Sequence, residues 1–164
     1  MKQYLLISIM IGALILQVSF LPALRPFGVV PNLVLIVVAA SALTGPLVSA
    51  MILALGGGFI LDLASGSDFG LRTGLLAFAV LICAYVARSG LRFGSRLQLL
   101  IVVVVISTLT PLIIVPEIIF AGGRVNFPTV IARWIATIGC NAALAVTLGP
   151  IFATIARSNQ DYGI

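Results

Sequence analysis

Asp62 is a carboxylate within an apolar stretch, ten residues before Arg72 across a short loop. A carboxylate at the centre of a bilayer costs about 2.5–3.5 kcal/mol, and less near the interface, so it needs a partner. An ion pair with Arg72, or hydrogen bonds from backbone amides of the loop, would satisfy it structurally. A proton relay would need further titratable groups deeper in the same stretch, and the sequence offers none. We therefore favour a structural role for Asp62.

Glu117 and Arg133 are a second pair of ionisable residues on either side of a short, glycine-containing connection. An ion pair across that connection is the simpler interpretation, and a site for a charged ligand is the alternative. Trp134 follows Arg133 directly, and a tryptophan at this position is typical of an anchor at the membrane–water interface.

Most enzyme chemistry is excluded by residue types. The chain has no histidine, so serine–histidine and cysteine–histidine triads and histidine-ligated metals are impossible. Cys83 and Cys140 lie singly in apolar runs, which favours packing roles over a disulfide or a zinc site. Gly56–Gly58 lies within an apolar helical run rather than after a strand, where a phosphate-binding loop would be expected. We predict that the protein is not an enzyme and holds no metal or cofactor.

Composition determines the broad class. Of the 164 residues, 62% are hydrophobic and 8% are charged, against roughly 45–50% and 25% in soluble domains. These charges cannot cover a soluble globule, and the basic residues are scattered between apolar runs rather than clustered as in a nucleic-acid binder. At about 20 residues per crossing, six helices would use the whole chain. The sequence predicts one polytopic membrane domain over residues 1–164, in contact with the lipid bilayer and with no nucleic-acid partner.

Glycine, proline and charged residues divide the chain into six predicted spans. The first run is longer than the apolar region of a signal peptide and lacks its cleavage pattern, so it is predicted to be retained. The second is short, and five spans remain if it is re-entrant. The prediction is an all-α transmembrane fold, a compact bundle of six helices at about 4–24, 31–43, 47–64, 72–87, 97–121 and 129–155.

The basic residues suggest an orientation. The connection between the fourth and fifth spans contains Arg88, Arg92 and Arg96, and arginine-rich short loops are typically cytoplasmic. With six spans, both termini are then also cytoplasmic. The inner segments carry five basic residues (Lys2, Arg88, Arg92, Arg96 and Arg157) and the outer ones three (Arg25, Arg72 and Arg124), or four if Arg133 is counted with them.

Small residues recur along one side of the third predicted span. Ala50, Ala54, Gly58 and Asp62 follow each other at intervals of four residues, which places them close to one helix face. Gly57 widens this smooth surface. Small residues at such spacing allow another helix to approach closely. That helix belongs either to the same bundle, or to another membrane protein or a second copy of this chain.

An ordered set of short motifs runs through the second and third predicted spans and the loop that follows. The motifs are 31–36 (PNLVLI), 45–46 (GP), 57–63 (GGFILDL), 65–67 (SGS) and 70–72 (GLR). Together they resemble the rod shape-determining protein MreD family of bacterial inner-membrane proteins, whose hallmark is a glycine-rich third span that ends in Leu-Asp-Leu, followed by a Ser-Gly loop and Gly-x-Arg. The resemblance covers about residues 28–88 and groups Ser65, Gly66 and Gly70 with Asp62 and Arg72 around one loop.

The resemblance implies a non-catalytic part in cell-wall elongation and rod shape, at the bacterial cytoplasmic membrane. Family members partner the membrane protein MreC and work with MreB, RodA and a class B transpeptidase. Their six-helix fold is similar to the substrate-binding subunits of energy-coupling-factor transporters. By this resemblance, the small-residue face is a candidate surface for MreC or for self-association. The loop 88–96 would meet anionic lipid head groups or MreB.

A second hypothesis is a vitamin-type, small-molecule-binding subunit of a membrane transporter. The small six-span layout and the polar residues near the outer face motivate it. Such a site should bring several aromatic and hydrogen-bonding side chains together. The outer segments offer few of these, chiefly Phe27, Phe69, Asn126 and Phe127, so we favour the scaffold.

Overall fold

A computed structural model describes residues 3–25, 28–65, 70–89, 95–109, 111, 115, 119 and 126–158, and every regular element within these residues is helical. The first helical stretch contains a π-helical turn (Leu16–Phe20) between α1 and α2. The helices are α1 (Gln3–Ile15), α2 (Leu21–Leu24), α3 (Leu33–Thr44), α4 (Leu47–Ser65), α5 (Leu71–Arg88), α6 (Ser95–Thr108), α7 (Phe127–Thr147) and α8 (Gly149–Ser158).

Four of the helical segments are long and apolar enough to cross a membrane, by length and composition. Only 22–33% of each span is buried inside the chain, so most residues of each span are exposed or half-buried. Polar side chains such as Asp62 and Asn141 are instead almost fully buried. A large exposed apolar surface, together with these buried polar side chains, fits a protein surrounded by lipid. The four segments are Leu6–Leu24, Leu47–Ser65, Leu71–Arg88 and Phe127–Thr147.

Helix α3 occupies the centre of the bundle. Its 12 residues span about 18 Å, well short of the roughly 30 Å hydrocarbon core. Residues 34–40 are no more than 1% exposed, and α3 contacts α1, α4, α5, α6, α7 and α8. A helix that is apolar on all sides is expected to be enclosed by protein. The short second segment is therefore a buried core helix, shielded from lipid by its neighbours.

The helix predicted over residues 129–155 is interrupted. Helix α7 ends at Thr147 and α8 begins at Gly149, with Leu148 between them. Pro150 has no N–H to continue the hydrogen-bond ladder. Gly149 is buried, and a Cβ atom there would collide with the side chain of Leu99. The chain turns at this point, and α8 packs against α3.

The helix predicted over residues 97–121 is described only in its first part. Helix α6 runs from Ser95 to Thr108, and the Leu109 N–H donates to the Ile106 carbonyl at 3.0 Å. Most of 110–125, including Pro116, lies outside the described residues.

Candidate functional site

Asp62 caps the amino end of the following helix. Its Oδ1 accepts from the Arg72 N–H at 3.0 Å. Its Oδ2 accepts from the Gly70 N–H at 3.1 Å, the Thr73 N–H at 3.1 Å and the Thr73 hydroxyl at 2.6 Å. The first N–H groups of a helix have no partner within it, and a negative charge there also interacts favourably with the helix dipole. Asp62 is 1% exposed, so its carboxylate supplies hydrogen-bond acceptors to the first N–H groups of α5 inside the bundle, where water does not.

The loop sequence explains why the cap comes from the preceding helix. Gly70 is the N-cap residue of α5 and has a φ of 100°, a left-handed conformation that favours glycine. Glycine has no side chain to supply the usual cap, so Asp62 supplies it from α4. The Ser65 hydroxyl donates to the Asp62 carbonyl at 3.0 Å and adds to the end of α4. Gly66, which belongs to the same predicted group, lies outside the described residues.

The small-residue face of α4 is buried within this chain. Ala50 and Ala54 are 0% exposed. A Cβ atom on Gly58 would collide with the backbone of Thr73 in α5, and one on Gly57 would collide with the Met10 side chain in α1. Of the two alternatives for this face, the folded chain uses packing within its own bundle. A partner helix cannot reach these residues while the bundle is closed.

A network of side-chain amides joins helices that are far apart in the sequence. Gln17, in the π-helical turn, accepts from the Val34 N–H at 3.0 Å and donates to Asn32 Oδ1 at 3.2 Å. Asn141 Oδ1 accepts from the Asn32 N–H at 2.7 Å, and its amide nitrogen donates to the Ser107 hydroxyl at 2.9 Å. The network thus links the π-helical turn to the start of α3 and to α6 and α7.

This network was not predicted from the sequence. Asn141 went unnoticed, although an isolated amide in an apolar helix is itself a signal for interhelical hydrogen bonding. Asn32 entered only as part of a motif, whereas in the structure it is the N-cap of α3 and accepts from the Leu35 N–H at 2.9 Å.

A cavity of about 560 Å³ lies beside this network, at the end of the bundle where α3, α5 and α7 begin. Its lining combines three arginines with amide and hydroxyl groups and an apolar wall. Among the described lining residues none is aromatic and none is acidic. They include Gln17, Arg25, Asn32, Leu35, Leu61, Arg72, Leu75, Ile106, Ser107, Arg133, Thr137 and Asn141.

The other predicted charged residues fall at two places. Arg133 lines the cavity, and its predicted partner Glu117 lies outside the described residues. Arg88 ends α5 and Arg96 lies in the first turn of α6, both exposed, at the end of α5 opposite the cavity. Arg92 is outside the described residues. The two described arginines of this loop are thus separate from the three that line the cavity.

The remaining candidates take packing positions. Cys83 is fully buried and Cys140 half-buried, and both are free thiols. The described residues contain no group of three or more His, Cys, Asp or Glu side chains that could hold a metal ion. The indole Nε1 of Trp134 is buried and has no hydrogen-bond partner among the described residues.

Comparison of the chain with models of protein families, with curated proteins and with solved structures finds no match in any of the three. The resemblance to the MreD family therefore depends on the motif residues themselves. In the structure, three of those residues, Gly58, Asp62 and Gly70, meet at the junction of α4 and α5.

Replacement of Asn141 by leucine tests the amide network. The variant removes both hydrogen bonds while keeping side-chain size. We expect a loss of about 1–2 kcal/mol, because the Asn32 N–H loses its acceptor and the Ser107 hydroxyl loses the hydrogen bond from Asn141. Unfolding of the purified protein in detergent measures it. Thr147→Val is the control, since Thr147 is exposed and bonds only to its own helix. Equal effects of the two variants would contradict a stabilising network.

Proposed function

We propose that this protein is a non-catalytic scaffold of the MreD type in the bacterial cytoplasmic membrane, where it binds MreC and supports cell-wall elongation. The observation that carries the proposal is the junction of α4 and α5. Gly58 allows the close approach to Thr73, and Asp62 caps α5. The two parts of the motif on either side of the loop, 57–63 and 70–72, thus pack together as one structural unit.

In this proposal, partners bind through the helix surfaces and short loops of the bundle. Because the small-residue face of α4 is occupied by the protein's own helices, the proposal assigns MreC to a face that is still accessible. The opposite side of α4 is exposed and apolar, with Ile52, Leu55 and Phe59 between 47% and 65% exposed. Gly56 lies on this side with open space beside it. A transmembrane helix of MreC, or a second copy of this chain, would approach closely there.

The proposed orientation places both termini and the loop 88–96 in the cytoplasm. Arg88 and Arg96 would then meet anionic lipid head groups or MreB, and the proposal includes RodA and a class B transpeptidase as further members of the assembly. The cavity and its arginines would lie at the outer end of a bundle of six helices.

Depletion and co-purification test the proposed function. We expect depletion of the protein to round rod-shaped host cells, and tagged MreC to co-purify with it in mild detergent. Normal cell shape after depletion, together with no recovery of MreC, would contradict the proposal.

Replacement of Gly56 by leucine tests the exposed side of α4. Because this position is open, the fold should be retained, and MreC recovery should fall at least fivefold as the larger side chain keeps the partner helix at a distance. Gly139→Leu is the matched control, since Gly139 is also exposed and open but lies on α7. Unchanged MreC recovery with Gly56→Leu would remove this face from the proposal.

The cavity favours a second candidate function, capture of a small ligand for transport. Its volume of about 560 Å³ is within the range of small-molecule sites. The described lining has no aromatic side chain to stack on the flat ring of a vitamin. A thermal-shift screen against vitamins tests this candidate, because a tightly bound ligand raises the melting temperature of its receptor.

A further inference from the structure

Three arginines from distant parts of the sequence line the same cavity. Arg25 follows α2, Arg72 lies in the first turn of α5, and Arg133 lies in the second turn of α7. A guanidinium group stays charged in proteins, so these side chains cannot relieve their mutual repulsion by losing protons. An anion in the cavity would interact favourably with all three.

Acidic side chains do not balance these charges within the described lining. Asp62 is adjacent in sequence to Leu61, which lines the cavity, but both of its oxygens accept hydrogen bonds from residues 70–73. Asp62 offsets part of the charge near Arg72, and Arg25 and Arg133 remain as further positive groups on the cavity wall. The described wall is therefore positive overall.

The amide groups of the wall present donors rather than acceptors. Gln17 Oε1 and Asn141 Oδ1 each accept a backbone N–H, and Asn32 Oδ1 accepts two hydrogen bonds. The amide nitrogens of Gln17 and Asn141 each have a second N–H that these bonds do not use. A ligand that only accepts hydrogen bonds matches such a wall, and a ligand rich in donors does not.

The remainder of the wall is apolar and includes Leu35, Leu61, Leu75 and Ile106. A wall that is cationic at some points and apolar at others suits an amphiphilic anion. Arginine binds phosphate oxygens through two parallel N–H groups, a geometry that lysine lacks. We infer that the cavity binds a phosphate group, carried by an anionic lipid or by a free phosphate compound. This inference goes beyond the proposed scaffold function and does not depend on it.

Binding of short-chain lipids to the full-length protein in an uncharged detergent tests the inference. The probes are dioctanoyl phosphatidic acid, dioctanoyl phosphatidylcholine and inorganic phosphate, titrated by calorimetry. We expect saturable binding of phosphatidic acid, at least tenfold tighter than that of the zwitterionic phosphatidylcholine, and weaker at high salt. Displacement by millimolar inorganic phosphate would identify a free phosphate compound as the ligand. Binding of phosphatidic acid without such displacement would identify a lipid.

The variants locate the binding. The double variant Arg25→Gln/Arg133→Gln should lose at least tenfold in affinity, and Arg133→Lys should retain part of it. Arg88→Gln removes the same charge from the opposite end of α5 and should change affinity less than twofold. The melting temperature without ligand shows whether each variant folds. If the double variant does not fold, Arg25→Gln and Arg133→Gln are measured singly, since both side chains are exposed. Failure of both phosphatidic acid and phosphate to bind, or an equal loss with Arg88→Gln, would overturn the inference.

Discussion

Replacing Gly58 with leucine is expected to prevent α4 and α5 from packing as they do in the native fold. An added Cβ would meet the Cα and N atoms of Thr73, and because these are backbone atoms no side-chain rotation can relieve the contact. Overpacking of a core costs about 1–3 kcal/mol, and more where the backbone must move. We expect a loss of at least about 3 kcal/mol, seen as low yield or as a large fall in melting temperature in detergent.

Gly56→Leu is the matched control for this experiment. It makes the same change two residues earlier in the same helix, where an added Cβ meets no atom within 4 Å. Leucine has a higher helix propensity than glycine by roughly 0.5–1 kcal/mol, so stability should be unchanged or slightly higher. If Gly58→Leu and Gly56→Leu have the same stability, the close approach of α4 and α5 does not stabilise the fold.

Replacing Asp62 with alanine has the second-largest expected effect. Gly70, Arg72 and Thr73 would each lose the acceptor for a backbone N–H at the amino end of α5. A hydrogen bond to a charged group contributes about 1.5–3 kcal/mol, and the bonds of one carboxylate are not additive. We expect a loss of about 3 kcal/mol in unfolding experiments, with the amino end of α5 losing protection first in hydrogen exchange.

Asp62→Asn separates the shape of this cap from its charge. An asparagine has one accepting oxygen, so its NH₂ group must face at least one N–H donor of α5. A cap of the loop alone predicts a mild effect. Acceptance through both oxygens predicts a loss of about 1–2 kcal/mol, smaller than that of Asp62→Ala. A fully stable Asp62→Asn variant would contradict the need for two accepting oxygens. Severe loss of cell shape at a normal protein level would indicate a charge-dependent contact with a partner.

Some of the architecture follows from local sequence. The predicted spans 47–64 and 72–87 differ by one residue at each end, at most, from α4 (Leu47–Ser65) and α5 (Leu71–Arg88). Hydropathy defines such segments, and glycine, proline and charge end them. Backbone amides are one of the two partners that the sequence predicts for Asp62, the other being the Arg72 side chain, and in the structure Asp62 accepts from the N–H groups of Gly70, Arg72 and Thr73.

The break between α7 and α8 also had a local signal. Gly149-Pro150 repeats the dipeptide Gly45-Pro46, which does separate α3 from α4. Only Gly45-Pro46 was predicted to separate two helices, because the apolar run around Gly149-Pro150 hides that break in a hydropathy profile.

The amide network and the cavity could not be predicted in the same way. Asn32 and Asn141 are 109 residues apart. Whether two such side chains meet depends on how each helix rotates and crosses its neighbours, and the period of one helix contains no information about that. The convergence of Arg25, Arg72 and Arg133 has the same origin in tertiary packing.

The central position of α3 has a consequence for the order in which the chain enters the membrane. A segment of 12 residues is too short to be stable across a bilayer by itself. Only two residues separate it from α4, so the pair can enter together as a hairpin. The helices that later enclose α3, among them α5, α6 and α8, are synthesised after it. The middle of the finished bundle is therefore completed last, and a ribosome that stalls before α8 leaves α3 without its full enclosure.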